Sequence, residues 1–345
     1  MKITLGSLAL GALTATLLSL SPSDALADTV ELRMATLAPT GSKWMQSFEK
    51  GAAETSKVTE GRVTVKYYPN GEQGDEKDSI AKIKLGQLDG AAVTSVGLSM
   101  IDESIRVLEL PMMFESAEEV DYVADKVWPY FQKKFEDKGY RLEARGEVGW
   151  IHFLSKEPVK SLAELRKQKV WLWGDDRLVA AMFKKLGISG VALGVPEVDA
   201  SLTSGRINAC YGSTLAAVAL QWHTKVRYMT SMHMSYSIGA TVISNAALKK
   251  LQPQDTKAVL KITGTLSKKL RTSIRKENEI AQRTMTRKGV TITETPADML
   301  AAFDKSAKEI WKDLTGKMYT QAELDMVLAA RDEYRAKTKA TPAAK

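Results

Sequence analysis

The spacing of hydrophobic residues along the chain switches between a period of two, as in strands, and the longer period of a helix. Residues 61–69, GRVTVKYYP, alternate and stop at a proline, which predicts a strand. Residues 42–59 place apolar side chains on one helical face, and Ser42 is suited to cap that helix. A second helix, ending near Gly86, leads into a buried strand at 90–96, GAAVTSV. This order predicts parallel strands with helices on both faces of a sheet.

A second round of the same pattern begins near residue 149. Ser161 and Glu164 form a capping-box pattern at the start of a short helix. A long amphipathic helix is predicted from about Gln254 to Lys288, before Gly289. The remaining strands and helices of this round are predicted at 149–159, 169–174, 177–187, 191–195, 196–205, 206–213 and 239–245. The last of these segments has the pattern of a strand that returns to the first sheet.

Two rounds of strands and helices, joined by chain crossings, predict an α/β protein with two hinged lobes. We expect a two-lobed periplasmic binding protein of type II-like fold. Its parallel-rich sheets are flanked by helices, and a long helix crosses both lobes. The predicted divisions are a signal peptide at 1–27, lobe I at 28–146 plus 238–270, lobe II at 147–237 plus 271–335, and a disordered tail at 336–345.

The first residues have the pattern of an export signal. Lys2 is followed by an uncharged apolar stretch over 3–20, and then by the small-x-small site Ala25-Leu26-Ala27. These three features describe a secretory signal peptide cleaved after Ala27, which predicts a periplasmic protein. An uncleaved membrane anchor is the alternative, because the apolar stretch is near the minimum length for spanning a bilayer.

Composition limits the classes of function. The formal net charge is +8, but many of the basic residues lie between Lys249 and Lys288, where a solvated helix face explains them. We therefore expect no nucleic acid partner. The single cysteine, Cys210, predicts a protein without an internal disulfide, in which this residue is buried; a reactive thiol is the alternative.

Enzyme motifs are absent from the sequence. It contains no Gly-x-Ser-x-Gly elbow, no Walker loop and no Gly-x-Gly-x-x-Gly that opens a helix. The three histidines, His152, His223 and His233, do not have the spacing of a zinc site. We predict no metal, no cofactor and no catalytic residue; a hydrolase with an unmarked triad is the remaining enzyme hypothesis.

The segment KVWLWGDD, residues 169–176, marks the candidate binding site. Trp171 and Trp173 alternate on a predicted strand, and two acids follow at its end. Open α/β sheets bind ligands at the carboxyl ends of their strands, so indoles at this edge are candidates for ligand contact.

Four segments resemble the DctP-type solute-binding proteins of tripartite ATP-independent periplasmic (TRAP) transporters. They are GRVTVKYYPNGEQGDEKDSIAKIKLGQLDGA, VLELPMMFES, KEPVKSLAELRKQKVWLWGDD and PEVDASLTSGRINA, and the resemblance extends over about residues 30–330. The resemblance implies a secreted receptor, not an enzyme, whose lobes close over a small molecule. It also implies TRAP-type membrane permease subunits as partners.

The chain departs from the family at the positions where typical members hold an organic acid. The resemblance places an arginine where this chain has Trp171, and a second where it has Trp150 or Ile151. Tyr211 and Gly212 stand where the family has an acid and an amide. An indole offers one N–H and a large apolar face in place of a fork of charged donors. The substitutions therefore favour an apolar or amphipathic ligand.

Further side chains are candidates for the same cleft, because the resemblance places their segments beside it. Methionine and aromatic side chains suit irregular apolar ligands, and a few polar groups would orient the molecule. These further candidates are Trp44, Glu76, Thr94, Ser95, Met112, Met113, Phe114 and Tyr236. For each single residue, a role in the core is the competing interpretation.

Two alternatives remain open. An organic acid could still bind if Arg145 or Arg177, which lie near the missing arginines, supplied a displaced anchor. Alternatively, the protein could be a periplasmic lipid shuttle that works without a permease and with the helical-repeat partner that the resemblance implies for some TRAP-like receptors.

Overall fold

The computed structural model describes residues 29–340, so the predicted signal peptide lies outside the described residues. The strands are β1 (Val30–Thr36), β2 (Val63–Tyr68), β3 (Gly90–Thr94), β4 (Tyr140–Trp150), β5 (His152–Ser155), β6 (Val170–Trp173), β7 (Gly190–Leu193), β8 (Ala209–Gly212), β9 (Tyr228–Thr230), β10 (Tyr236–Ser244) and β11 (Thr291–Thr293). The α-helices are α1 (Lys43–Val58), α2 (Glu76–Lys84), α3 (Ser95–Ser99), α4 (Ala117–Asp137), α5 (Leu162–Lys167), α6 (Arg177–Leu186), α7 (Val198–Ser204), α8 (Thr214–Ala219), α9 (Asn245–Leu248), α10 (Pro253–Arg287), α11 (Ala297–Leu314) and α12 (Gln321–Ala340). Short 3₁₀ helices occupy Glu103–Glu109, Val195–Glu197 and Trp222–Thr224.

The first sheet has the strand order β2-β1-β3-β10-β4. Strands β1, β2 and β3 are parallel, as the strand-helix-strand pattern predicts. Strand β10 is antiparallel to both β3 and β4, and it carries the chain back into this sheet. The predicted return of the chain to the first sheet is therefore confirmed.

The second sheet has the order β11-β9-β5-β8-β6-β7. Strand β6 is parallel to β7 and β8, whereas β5 is antiparallel to β8 and β9. Each sheet forms the centre of one lobe, which confirms the predicted two-lobed α/β fold. We call the lobe of the first sheet lobe I and the other lobe II; their exact boundaries stay a prediction.

Local signals in the sequence set several helix starts. The Ser42 side chain accepts from the backbone N–H of Met45 at the start of α1. Asp75 and Asp78 form a capping box at α2, and Asp176 caps α6 by accepting from Val179 N–H at 3.0 Å. These acidic caps matter for function because Asp75 and Asp176 lie where the lobes meet.

Two predicted segments differ from the structure. The strand predicted at 149–159 is divided between β4 and β5, because Gly149 has a φ of +110° and the chain turns there. The tail predicted to be disordered from residue 336 is helical as far as Ala340, where α12 ends; the rest of the predicted tail lies outside the described residues.

Buried apolar side chains form one large cluster and two smaller ones within the described residues. The large cluster includes lobe II and the face of the first sheet that α4 covers. The two smaller clusters lie on the opposite side of the first sheet, near α1 and α10. Between residues 29 and 340, none of the helices is both long enough and apolar enough to cross a bilayer.

Candidate functional site

A cavity of about 250 Å³ lies between the lobes and continues into lobe I. Its walls come from strand ends of both sheets, from the loop 37–39 and from helices α1, α8 and α10. Its lining is dominated by apolar and aromatic side chains, with few charged groups. An apolar concave site with a few polar groups is the usual form of a small-molecule site.

Trp171 lies at the centre of an aromatic wall of this cavity. Its ring stacks on Tyr211 with centroids 4.7 Å apart, and its edge-on contact with Trp222 is at 5.4 Å. The indole N–H donates to the carbonyl of Leu193 at 3.0 Å. This bond fixes the ring and leaves no free donor for a ligand, so Trp171 presents apolar surface alone.

Trp173 joins the two lobes beside this wall. Its indole N–H donates to Asp75 Oδ2 at 2.9 Å, and its backbone N–H donates to the Tyr211 hydroxyl at 3.1 Å. The same Asp75 oxygen accepts from the backbone N–H of Val195 at 3.1 Å. Burial raises the pKa of Asp75, although these donors oppose the shift. Asp75 thus caps α2 and also binds lobe II.

The structure brings many of the sequence-predicted residues to the cavity. Those that line it are Trp44, Glu76, Thr94, Ile151, Trp171, Trp173, Tyr211 and Gly212. They come from both lobes because the strand ends of both sheets, with the helices α1 and α2, face the same gap. Their roles in binding stay a prediction, but their positions agree with it.

Trp150 and Tyr236 do not line the cavity, contrary to the expectation. Trp150 stacks on His233 with centroids 4.5 Å apart and meets the edge of Tyr236 at 4.8 Å. The Tyr236 hydroxyl accepts from Arg275 Nε at 3.3 Å. The turn at Gly149 accounts for the difference, because Ile151 takes the cavity position and Trp150 joins a separate aromatic group.

Met112, Met113 and Phe114 also lie away from the cavity. Met113 is 1% exposed, and its sulfur and carbonyl accept hydrogen bonds from Arg331 and Arg335 of α12. Met112 has a φ of +54°, and its N–H donates to Met234 O at 3.1 Å. The C-terminal helices cover this segment, so its apolar residues serve the core; Met234 is the methionine that reaches the cavity.

Glu76 is a buried acceptor at the cavity. Its carboxylate accepts from the N–H and hydroxyl of Thr94, at 2.7 and 2.8 Å, and from Gly97 N–H at 2.7 Å. Burial raises the pKa of Glu76 to about 8, against the effect of these donors. Its hydrogen bonds hold the end of β3 in place and leave it little capacity to recognise a ligand.

An arginine that the sequence analysis did not select, Arg106, lies at the cavity and is 4% exposed. Its Nη2 donates to both oxygens of Asp176 at 2.9 Å, and its Nη1 donates to Glu109 Oε2 at 2.9 Å. Ser95 accepts from Arg106 and donates to Glu109, so it orders this group without lining the cavity. The pair Arg106–Asp176 crosses between the lobes.

Burial and mutual attraction together set the protonation of Arg106 and its carboxylate partners. Burial opposes the charge of Arg106, but the carboxylates of Asp176 and Glu109 outweigh it and raise the pKa of the guanidinium. Burial raises the pKa of Glu109, although Arg106 and Ser95 oppose that change. Arg106 therefore stays cationic, and its donors are directed at carboxylates of the protein itself.

The two arginines proposed as displaced anchors do not reach the cavity. The Arg145 guanidinium is directed at α4, where it donates to Asp121 at 2.6 Å and to Asp125 at 3.0 Å. The Arg177 side chain is 66% exposed and donates to Glu103 at 2.6 Å. Neither arginine is placed to hold a ligand in the cavity.

The charged residues that line the cavity, among those described, are one cation and four carboxylates: Arg106, Glu76, Glu109, Glu147 and Asp176. Glu147 is paired with Arg275 at 2.9 Å. Because both terminal nitrogens of Arg106 are engaged by protein groups, a ligand carboxylate entering this cavity would meet no unpaired cation among these residues.

The part of the chain that the structure describes offers no candidate metal site. No group of three or more His, Cys, Asp and Glu side chains there could hold a metal ion. Burial and the neighbouring His233 lower the pKa of His152 to about 4, and His152 Nδ1 donates to Thr230 O at 3.0 Å. Cys210 is buried, and burial raises the pKa of its thiol.

Comparisons with known proteins agree with this architecture. An uncharacterized protein from Salmonella typhimurium is 26% identical over 218 residues, which cover 60% of this chain and 64% of that protein. A TRAP periplasmic solute-binding protein from Xanthobacter autotrophicus Py2, solved with bound β-D-galacturonate, is similar with a TM-score of 0.81 and 20% identity. That match covers 87% of this chain and 99% of that chain.

A TRAP periplasmic solute-binding protein from Roseobacter denitrificans, solved with bound L-galactonate, gives a TM-score of 0.79 and 22% identity. The match covers 88% of this chain and 99% of that chain. The model of the family described as bacterial extracellular solute-binding protein, family 7 (DctP), matches residues 34–318. This match confirms the resemblance drawn from the four sequence segments and the expectation that the chain is not an enzyme. The chain therefore belongs to the DctP family of bacterial extracellular solute-binding proteins.

Proposed function

We propose that this protein is the receptor of a TRAP-type transporter and that it binds an apolar or amphipathic small molecule. The molecule would lie in the cavity between the lobes, against the wall of Trp171, Tyr211 and Trp222. The lobes would close over it and present it to membrane permease subunits. Export to the periplasm follows from the signal-peptide pattern at residues 1–27.

The engagement of Arg106 is the observation that carries the proposal. A ligand carboxylate needs a free cation or several donors to offset its desolvation, which costs several kcal/mol. Arg106 already holds Asp176 and Glu109, and two further carboxylates line the cavity. Apolar ligand surface is favoured instead, at roughly 25 cal/mol for each Å² removed from water.

A small organic acid is the second candidate ligand, and the comparisons favour it over the apolar one. The two solved relatives named above carry galacturonate and galactonate, which are sugar acids. In this chain Arg106, and not Arg145 or Arg177, would be the anchor. The acid would have to displace Asp176 from the guanidinium, and this requirement separates the two hypotheses physically.

A lipid shuttle would use the same cavity without a permease. The helical-repeat partner that this alternative implies stays a prediction. Genes for the large and small permease subunits beside the gene of this protein would support transport. Their absence would support the shuttle.

The experiment that tests the proposed ligand class identifies what the protein carries. The mature protein is purified without denaturation and extracted with organic solvent, and the extract is analysed by mass spectrometry. We expect an uncharged apolar or amphipathic molecule in stoichiometric amount. The Arg106→Leu/Asp176→Leu double variant is a comparison in which the charge pair is replaced by apolar groups, and it should carry the same molecule. Recovery of a small carboxylic acid, with no apolar molecule, would overturn the proposal.

A further inference from the structure

The cavity does not end at the cleft between the lobes, and its inner part carries a separate inference. Beyond the ends of β1 and β3 it continues between the first sheet and the helices α1 and α10. We call this inner part the sheet compartment. Its lining residues are Leu32, Met34, Val65, Tyr67, Ala92, Thr241 and Ile243 of the sheet, Ser47, Phe48, Gly51, Ala52 and Thr55 of α1, and Val259, Thr263, Leu266, Ser267 and Leu270 of α10.

Small residues at regular spacing leave this space open. Ser47, Gly51 and Thr55 follow one another at four-residue intervals on α1, so they lie along one face of the helix. On α10, Thr263 and Ser267 have the same spacing. The sheet contributes Ala92, which pairs with Thr241 and Thr36 on neighbouring strands. At Gly51 the small residue admits Leu266, whose Cδ1 would lie 3.0 Å from an added Cβ, but at the other positions small side chains stand where a core would have large ones. The helices and the sheet therefore enclose a void.

The separate apolar clusters agree with this void. Buried residues of the sheet such as Leu32, Met34 and Ile243 form one cluster, which Val259 of α10 joins at one end of the helix. On the helix side, Leu270 and Ile274 belong to another. In a filled interior these groups would form one contiguous core.

The compartment is uncharged, and two of its lining hydroxyls are bound within the protein. None of its lining residues carries a charge. The Thr263 hydroxyl donates to Val259 O at 2.8 Å, and the Ser267 hydroxyl donates to Arg145 O, so both are engaged within the protein. From Thr36 at the cleft to Leu32 at the inner end, four residues of β1 span roughly 13 Å. An uncharged space of this length fits an extended alkyl chain.

We infer that the sheet compartment is a binding site for the alkyl tail of a ligand whose polar end stays in the cleft. This inference rests on the proposed apolar or amphipathic ligand and adds that the ligand is a single-chain amphiphile. A compact apolar molecule would occupy the cleft alone. A single-chain molecule would enter lobe I, where each further methylene group leaves water.

Calorimetric titration with 1-butanol, 1-hexanol and 1-octanol tests the inference on the mature protein. Each added methylene should tighten binding by about fourfold. Thr263→Leu fills the compartment, so it should leave 1-butanol binding in place and weaken 1-octanol binding by at least about tenfold. Thr265→Leu is the matched control, because Thr265 lies exposed on the same helix and its hydroxyl bonds Lys261 O in the same way. The Thr265→Leu variant should bind all three alcohols with the affinity of the natural protein.

The outcomes separate this inference from the proposed function. Equal binding of 1-octanol by Thr263→Leu and the natural protein, with both variants folded by circular dichroism, would overturn the tail site and leave the apolar cleft standing. Failure of every alcohol to bind the natural protein would overturn the proposed ligand class itself. If the affinity for the alcohols stops rising with chain length in Thr263→Leu but not in Thr265→Leu, the result supports both the tail site and the proposed ligand class.

Discussion

Replacement of Asp176 by alanine should lower the free energy of unfolding by about 3–5 kcal/mol, because the Nη2 group of Arg106 would remain buried without a partner and only Glu109 would still face the guanidinium. Both oxygens of Asp176 accept from Arg106 at 2.9 Å, and the two side chains are each 4% exposed. Asp176 also caps α6 through Val179 N–H, so its loss removes a second bond. Urea unfolding followed by tryptophan fluorescence measures the change.

Asp175→Ala is the control, since it removes the neighbouring carboxylate, which is partly exposed to solvent. Asp175 pairs with Lys77 at 3.0 Å, but these side chains are 34% and 64% exposed. Exposed pairs contribute about 0–1 kcal/mol, so this variant should be nearly as stable as the natural protein. The double replacement Arg106→Leu/Asp176→Leu should recover only part of the loss, because Glu109 would remain buried without Arg106 and α6 would still lack its cap. Equal stability of the Asp176→Ala and Asp175→Ala variants would show that Arg106 does not depend on this partner.

Trp171→Arg should abolish binding of an apolar ligand and lower the free energy of unfolding by about 3–5 kcal/mol. The substitution places a guanidinium where an indole that is 2% exposed stacks on Tyr211 and contacts Trp222. It also restores the residue type that the family resemblance places here, so an acid should bind better to the variant than to the natural protein. Calorimetric titration with 1-octanol and with D-galacturonate measures both changes.

Trp311→Arg distinguishes loss of the site from loss of the fold. Trp311 is partly buried on α11, and its indole N–H donates to Pro111 O at 3.0 Å, away from the cavity. This control should be less stable than the natural protein but should retain its affinity for 1-octanol. Unchanged affinity in a folded Trp171→Arg variant would remove Trp171 from the binding site.

Much of the fold could be predicted because its signals are local. Ser42 and the acids at the start of α2 act within one helical turn, and the alternation of 61–69 identifies β2 without knowledge of its partners. The position of Trp171 at a strand end likewise followed from order along the chain. These features depend on neighbours a few residues away, which the sequence displays directly.

The rest of the site depends on contacts between distant residues. Arg106 and Asp176 are 70 positions apart, and only closure of the two lobes brings them together. One signal was visible: Arg106 and Glu109 interrupt the apolar stretch IRVLELPMMF with opposite charges. The prediction that Met112 and Met113 of the same stretch line the cavity was wrong. Helices α11 and α12, which lie far along the chain, cover this segment in the tertiary fold.

The sheet compartment could not be predicted from the sequence. Ser47, Gly51 and Thr55 on α1 are an unremarkable row of small residues until the second helix is placed against them. Such rows more often permit close helix packing than enclose a void. The relative position of α1, α10 and the first sheet is a property of the tertiary fold, so the cavity between them becomes apparent only there.

Direct competition between an acid and an apolar ligand tests the central claim, that the engaged Arg106 leaves the cavity without a free cation. Calorimetric titration of the natural protein with D-galacturonate and with succinate, each in the presence and absence of 1-octanol, measures it in one experiment. We predict that 1-octanol binds and that neither acid binds or displaces it at millimolar concentration. Tight binding of either acid, with displacement of 1-octanol, would contradict the account and assign the cavity to organic acids.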